Sequence, residues 1–340
     1  MMEDNVWRRR DLDRGKTLAI LLVVFGHIVA REDPSGGGWG AAWYEPARAA
    51  VYSFHIPFLF YLSGYAAHWS GATAACGPAY GNLLRRRAKR LLVPALVFGV
   101  AILVGKIAMM DELHVDHAPA SFVSGLVDLV WRTDRSPAQS VWYIIVLFFY
   151  AAGAPMLLPL LRRYGPALLV VSAPLALLPV PPILYADRIV TYVPFFLAGM
   201  VVADRDLAWC RWLDAWRVPL AVLFALALCV DLRAGAAVPR NLAMLGVSIV
   251  ALPALHAIVR QLPYAARRLL DWLGAYAFAI YLLNTIFIGL AKALLMKQIP
   301  WEADWFPLFA AGLMAAGVAG PILAKTLLFR PVPVLDRLTR

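Results

Sequence analysis

The hydrophobic positions of this chain fall into long blocks. Apolar stretches of roughly 15 to 23 residues recur about ten times, at approximately 16–30, 49–69, 91–110, 141–161, 165–183, 189–203, 218–232, 241–259, 272–291 and 306–328. A helix rising about 1.5 Å per residue needs about 20 such residues to cross about 30 Å of hydrocarbon. The pattern therefore predicts an all-α polytopic membrane protein of about ten transmembrane helices. The alternation expected of a lipid-facing β-barrel is missing. The first and sixth blocks are short, and the fifth, GPALLVVSAPLALLPVPP, holds enough proline to bend or partly unwind. No polar linker, low-complexity tract or internal repeat divides the chain, so residues 1–340 are read as a single transmembrane domain.

Composition supports that solvent. Of the residues 62% are hydrophobic and 16% charged, where soluble chains carry about a quarter charged residues. The net charge of +11 follows from topology without a nucleic-acid partner. With ten alternating crossings and the N-terminus cytoplasmic, 22 of the 32 lysines and arginines fall on the cytoplasmic side, beside anionic lipid. Acidic residues lean the other way, with Asp111, Glu112, Asp116, Asp128 and Asp134 after the third block. Both termini are expected in the cytoplasm. The basic start and first apolar run also resemble a secretory signal ending at Ile28-Val29-Ala30, but nine further blocks favour a retained helix. Cys76, Cys210 and Cys229 are an odd set without metal-ligand spacing, so neither a disulfide framework nor a bound metal is expected.

Chemistry is concentrated in three places. In KTLAILLVVFGHIVA, Lys16 and His27 are eleven residues apart, which on a helix is about 16 Å along the axis and three turns plus roughly 20° around it. They share one face. In SFHIPFLFYLSGY, His55 falls at nearly the depth of His27, and Pro57 frees the carbonyl of Ser53, so the helix should bend beside the imidazole. Ser63-Gly64 lies two turns deeper. In NLLRRRAKRLLVP, Arg87 and Arg90 face the same way near a helix N-terminus, an unfavourable grouping unless a multi-oxygen anion relieves it.

The stretches LDRGKTLAILLVVFGH, SFHIPFLFYLSGY, LLRRRAKRLLVPALVFG, VWYIIVLFFY, VPFFLAGMVV and LGAYAFAIYLLN, in this order, resemble the successive signatures of the acyltransferase type 3 family. Members are ten-helix membrane enzymes, mainly bacterial, that O-acylate glycans and related acceptors from acyl-coenzyme A. The general pattern is similar to sugar O-acetylases of the fucose type. The resemblance implies a multi-pass protein of the bacterial inner membrane, acetyl-CoA or another acyl-CoA as donor, and a sugar, glycan or small hydroxyl compound as acceptor. It places the family's basic residue and histidine at Lys16 and His27, its arginine pair at Arg87 and Arg90, and its second-helix elements at His55, Pro57, Ser63 and Gly64. Many members carry histidine where this chain has Asn284, so a step that titrates there cannot run the same way.

Acyl transfer from a thioester to an alcohol needs a base for the hydroxyl proton, donors for the tetrahedral oxyanion and a grip on the donor's phosphates. Histidine, with an unperturbed pKa of about 6.5, suits the first task. His27 is accordingly the expected general base, Lys16, Arg87 and Arg90 the donor-binding cations, and His55 a group that orients the acceptor or stabilises the oxyanion. Trp142, Tyr143 and Asn284 are expected at the substrate. Each has a bland reading: a structural histidine at 27, a carbonyl-satisfying one at 55, and positive-inside or snorkelling cations at 16, 87 and 90. Ser63-Gly64 reads as a close helix contact, Trp142 and Tyr143 also as an aromatic belt, and Asn284 also as a partner of another helix. His114 and His117 read as a solvated loop, and His68 and His256 as interfacial. A membrane transporter or flippase of a small or lipid-linked substrate is the alternative function, since it too would use proline-broken helices around buried histidines.

Overall fold

In a computed structural model, residues 9–29, 43–69, 78–110 and 118–339 are described, and nearly all are helical, without a β-strand among them. The helices run α1 (Arg10–Ile28), α2 (Tyr44–Tyr52), α3 (His55–Trp69), α4 (Pro78–Met109), α5 (Phe122–Val130), α6 (Trp142–Ser172) and α7 (Ala186–Asp204), then α8 (Asp206–Ala234), α9 (Arg240–Arg260), α10 (Tyr264–Gly274), α11 (Ala277–Met296), α12 (Phe306–Leu323) and α13 (Pro333–Leu338). Seven of these, α4, α6, α7, α8, α9, α11 and α12, are long and apolar enough to cross a membrane by length and composition.

The difference from the ten expected segments has three physical sources. α1 has 19 residues, but its first two turns hold Asp11, Asp13, Arg14 and Lys16. The 49–69 block breaks at Ser53-Phe54 into α2 of 9 residues and α3 of 15, the latter rising only about 22 Å. The 141–161 and 165–183 blocks run together as α6, whose backbone leaves helical geometry at Tyr164 (φ −131°, ψ 22°), two residues before Pro166. The proline bend expected for the fifth block is therefore present, at its start. His114, His117, Cys76 and Ala30 lie outside the described residues.

α3 occupies the centre of the bundle. Phe58, Phe60, Tyr61, Leu62 and Tyr65 are all buried, which only a helix surrounded by other helices achieves. α7 is its most intimate neighbour, and two glycines make the approach possible. A Cβ on Gly64 would lie 1.9 Å from the Phe196 carbonyl oxygen, and one on Gly199 would lie 1.9 Å from that of Tyr61. The contact expected of Ser63-Gly64 is thus a reciprocal backbone-to-backbone crossing. On the opposite flank Leu62 Cδ1 fills the space over Gly15 of α1, 2.9 Å from where a Cβ would sit. α1 in turn follows α10 to α12: Thr17 Oγ1 meets Gly274, and Val24 and Ile288 meet over Gly317. These contacts set α1 and α11 side by side and parallel, with Asn284 at the depth of the stretch between Lys16 and His27.

Because backbone atoms cannot yield, Gly64→Ala and Gly199→Ala should each destabilise the protein by about 2 kcal/mol or more, in the range of severe overpacking. Thermal unfolding in detergent should show this as a lower midpoint, while Gly153→Ala, at a helical site with open space around it, leaves the midpoint unchanged or slightly raised.

Candidate active site

α1 is unbroken from Arg10 to Ile28, so the distance from Lys16 to His27 is set by helix geometry at about 16 Å. Both residues are half-buried. Lys16 lies one turn beyond Asp13 and within electrostatic reach of Arg87 and Arg90 on α4. Arg87 is half-buried and Arg90 exposed. Three cations from two helices thus gather at one end of the bundle, and among the described residues no carboxylate stands within ion-pair distance of Lys16 or Arg90. Like charges held this way repel, as the sequence spacing of Arg87 and Arg90 implied, and the arrangement is complementary to a polyanion.

At the other end of α1 the helix break does what Pro57 required. The Ser53 carbonyl, released from its intrahelical bond, accepts from the Ser248 hydroxyl of α9 at 3.1 Å. The Val51 carbonyl lies 2.6 Å from His55 Nδ1. A carbonyl only accepts, so Nδ1 carries the proton, and in the neutral ring Nε2 is the acceptor. That nitrogen faces α1, 3.5 Å from where a Cβ on Gly26 would sit. The imidazole thus lies against the first helix at Gly26, and the two histidine rings are within electrostatic reach of each other. Tyr52 closes the corner: its hydroxyl donates to the Gly26 carbonyl at 3.0 Å, and its ring stands edge-on to His55 with centroids 5.0 Å apart. His27 itself has no hydrogen-bond partner among the described residues.

The other expected site residues divide. Tyr143 is buried and shares a 2.7 Å hydrogen bond with the Ser63 hydroxyl, which ties α6 to α3 and places the tyrosine inside the bundle, away from an interfacial belt. Trp142 is half-buried and packs against Phe60 and Tyr192, with Arg188 4.6 Å from its ring centroid. Asn284 is fully buried, and its amide nitrogen donates to the carbonyls of Ile280 (2.9 Å) and Tyr281 (2.7 Å) on its own helix. Among the described residues the expected bond to another helix is not made. Its Oδ1 is buried without a partner among the described residues, which holds an acceptor atom at the depth between the cations and the imidazoles.

His256, expected at the interface, is fully buried at the centre of a polar network near the cation end. Trp209 Nε1 donates to the Tyr61 hydroxyl (2.9 Å), leaving that hydroxyl to donate to His256 Nδ1 (2.8 Å), and Nε2 then points at Asp11 Oδ2, 3.5 Å away. Asp11 also accepts from Arg9 (2.7 Å) and Arg260 (3.2 Å). Burial opposes ionisation of Asp11, but His256 and Arg9 outweigh it and hold the carboxyl below its ordinary range. Arg9 and Tyr65 both bond Asp206, and Arg260 pairs with Asp214 at 2.7 Å. The network escapes sequence reasoning because its members are spread from residue 9 to residue 260. His68 stands 3.9 Å from Asp204, at the rim of a cleft of about 480 Å³ that includes Arg162, Arg205, Trp209 and Trp212. No residue of α1 or α4 lines that cleft, so it is separate from the Lys16–Arg87–Arg90 grouping.

No curated protein and no solved structure is detectably similar to the chain. A family model described as an acyltransferase domain matches residues 9–325, which takes in every helix carrying the cations and imidazoles described above. The chain belongs to the acyltransferase type 3 family.

Proposed function

We propose that the protein is an O-acyltransferase that moves an acetyl or other short acyl group from acyl-coenzyme A, bound at the cation end, to a hydroxyl of a sugar or glycan admitted at the histidine end. The observation that carries this reading is that one unbroken helix presents a phosphate-complementary lysine and, about 16 Å further on, an imidazole with no hydrogen-bond partner among the described residues and within electrostatic reach of a second one. A pantetheine arm is of the right length to join the two.

In this reading Lys16, Arg87 and Arg90 hold the phosphates through charge-assisted bonds. His27 removes the acceptor hydroxyl's proton as its oxygen attacks the thioester carbonyl carbon. The oxyanion so formed collapses, the C–S bond breaks, the proton on His27 passes to the departing thiolate, and the acyl group stays on the acceptor as an ester. His55 is fixed with Nδ1 donating to Val51, so its free Nε2 accepts a hydrogen bond and orients the acceptor. That geometry argues against the oxyanion role for the neutral ring. The positive charge around Lys16 supports a reading in which this end faces the cytoplasmic leaflet of a bacterial inner membrane, with both termini inside. A transporter would share the broken helix and buried imidazoles but would consume no donor.

Two measurements on purified protein in lipid nanodiscs test the reading. With radiolabelled acetyl-CoA, transfer or slow hydrolysis should fall about 10²- to 10⁴-fold in His27→Ala with coenzyme A binding retained, as expected for loss of a general base. An unchanged rate assigns the base elsewhere, and acceptor movement without donor consumption supports transport instead.

Arg87→Ala and Arg90→Ala should each weaken coenzyme A binding about tenfold, the size of one lost charge-assisted contact, with the weakening greatest at low salt. Titration calorimetry reads this directly, and unchanged affinity in the double variant would reduce the pair to membrane anchors.

A further inference from the structure

A second set of groups stands at the histidine end, and the mechanism above makes no use of it. Arg188, in the first turn of α7, places its guanidinium over the Trp142 ring, yet its Nη1 is buried without a hydrogen-bond partner among the described residues. Its carboxylate neighbour, Asp187, reaches only Nε, at 4.0 Å. Arg240, the first residue of α9, lies 5.9 Å from the Tyr52 centroid and has no carboxylate within ion-pair distance among the described residues; Asp231 acts on it only from further away. Arg48, the third arginine here, is already paired with Glu45 at 2.8 Å.

Tyr192 links the two arginines, and Arg240 in turn reaches the imidazole corner. Tyr192, one turn beyond Arg188, is within electrostatic reach of Arg188, Arg240 and Tyr52, and its ring packs 5.2 Å from that of Trp142. Arg240 also acts on His55. Anchoring in a headgroup layer would leave a guanidinium turned outward to lipid and water, and Arg240 is indeed exposed. Arg188 instead lies inward over an aromatic platform, with donors that a cation–π contact cannot satisfy. A planar guanidinium fork matches a carboxylate or phosphate, and aromatic faces suit the polarised C–H face of a sugar ring.

We propose that the acceptor is an anionic saccharide, whose carboxylate or phosphate is held by Arg188 and Arg240 while its ring lies against Trp142 and Tyr192 and presents a hydroxyl to His27 and His55. The inference rests on the acyl-transfer reading for the fate of that hydroxyl; the binding site itself does not depend on the donor. Tyr52 then has a second task beyond holding Gly26, since it stands between Arg240 and the His55 ring.

The test is calorimetric binding to the full chain in nanodiscs of zwitterionic lipid, with no acyl donor present. The probes are methyl β-glucuronide, glucose 6-phosphate and the neutral methyl β-glucoside. At least one anionic probe should bind about tenfold or more tightly than the glucoside, with the preference shrinking as salt is added. Arg188→Gln and Arg240→Gln should each reduce the preference, and Arg188→Lys should keep part of it, all with coenzyme A binding intact as proof of fold. Preference for the glucuronide alone identifies a uronic-acid acceptor, and for the phosphate alone a sugar phosphate. Equal binding of all three probes, binding of none, or a preference that survives both glutamine variants would overturn the proposal. Since no donor takes part, failure of acetyl transfer in the His27 experiment is a separate result.

Discussion

The depth of α1 in the bundle is the constraint on which the site depends, and a buried ionic network sets it. Asp11 receives Arg9 from its own helix start, Arg260 from the end of α9 and the edge of His256, while Arg9 continues to Asp206 at the start of α8. Arg14 adds a two-pronged pair with Asp271 of α10, both contacts 2.7 Å. A helix pinned at its charged head by partners on three other helices can neither slide nor rotate without stranding a buried charge, a loss of several kcal/mol. Everything further along α1 inherits that registration. Lys16 stays near Arg87 and Arg90, and His27 stays level with His55.

The second requirement is that α3 bring its imidazole to the same level, and here backbone chemistry takes over from charge. Pro57 withholds a donor, the helix breaks at Ser53-Phe54, and two released carbonyls find new donors in Ser248 and His55. The histidine is therefore part of the repair of the break as well as a candidate for chemistry, which is why its tautomer is determined. The glycine crossing at Gly64 and Gly199 holds α3 tightly against α7 beyond the break at Ser53-Phe54. Helices brought this close by small residues have little freedom to shear.

The features read correctly from the sequence were those whose physics is local. Block length gave an all-helical chain with seven helices long and apolar enough to cross a membrane, three fewer than the blocks, while the eleven-residue interval gave the shared face of Lys16 and His27, and Pro57 the freed Ser53 carbonyl. Ser63-Gly64 gave a close helix contact, though its partner Gly199 was invisible. What escaped depends on tertiary placement. His256 looks interfacial by position along α9, yet helices α1, α3 and α8 close over it and convert it into the hub of a network. Asn284 satisfies its amide within its own helix, a choice that helical spacing permits but does not dictate. Arg188 and Arg240 are 52 residues apart in sequence and sit beside apolar blocks, where any arginine reads as an anchor.

The two ends of the site differ in how they treat charge, and the difference has a functional logic. At the cation end Lys16, Arg87 and Arg90 repel one another, an arrangement that suits the polyphosphate donor proposed above. At the histidine end the arginines lie over aromatic rings, which suits a saccharide bound by shape as well as by charge. Between them α1 is apolar, and the Oδ1 of Asn284 is buried on the neighbouring helix at about that depth. In the proposed reaction a sparsely polar middle section is an advantage, because water reaching the thioester would compete with the alcohol. Asparagine is consistent with that demand: it accepts a hydrogen bond without carrying a proton that could be lost to the wrong partner.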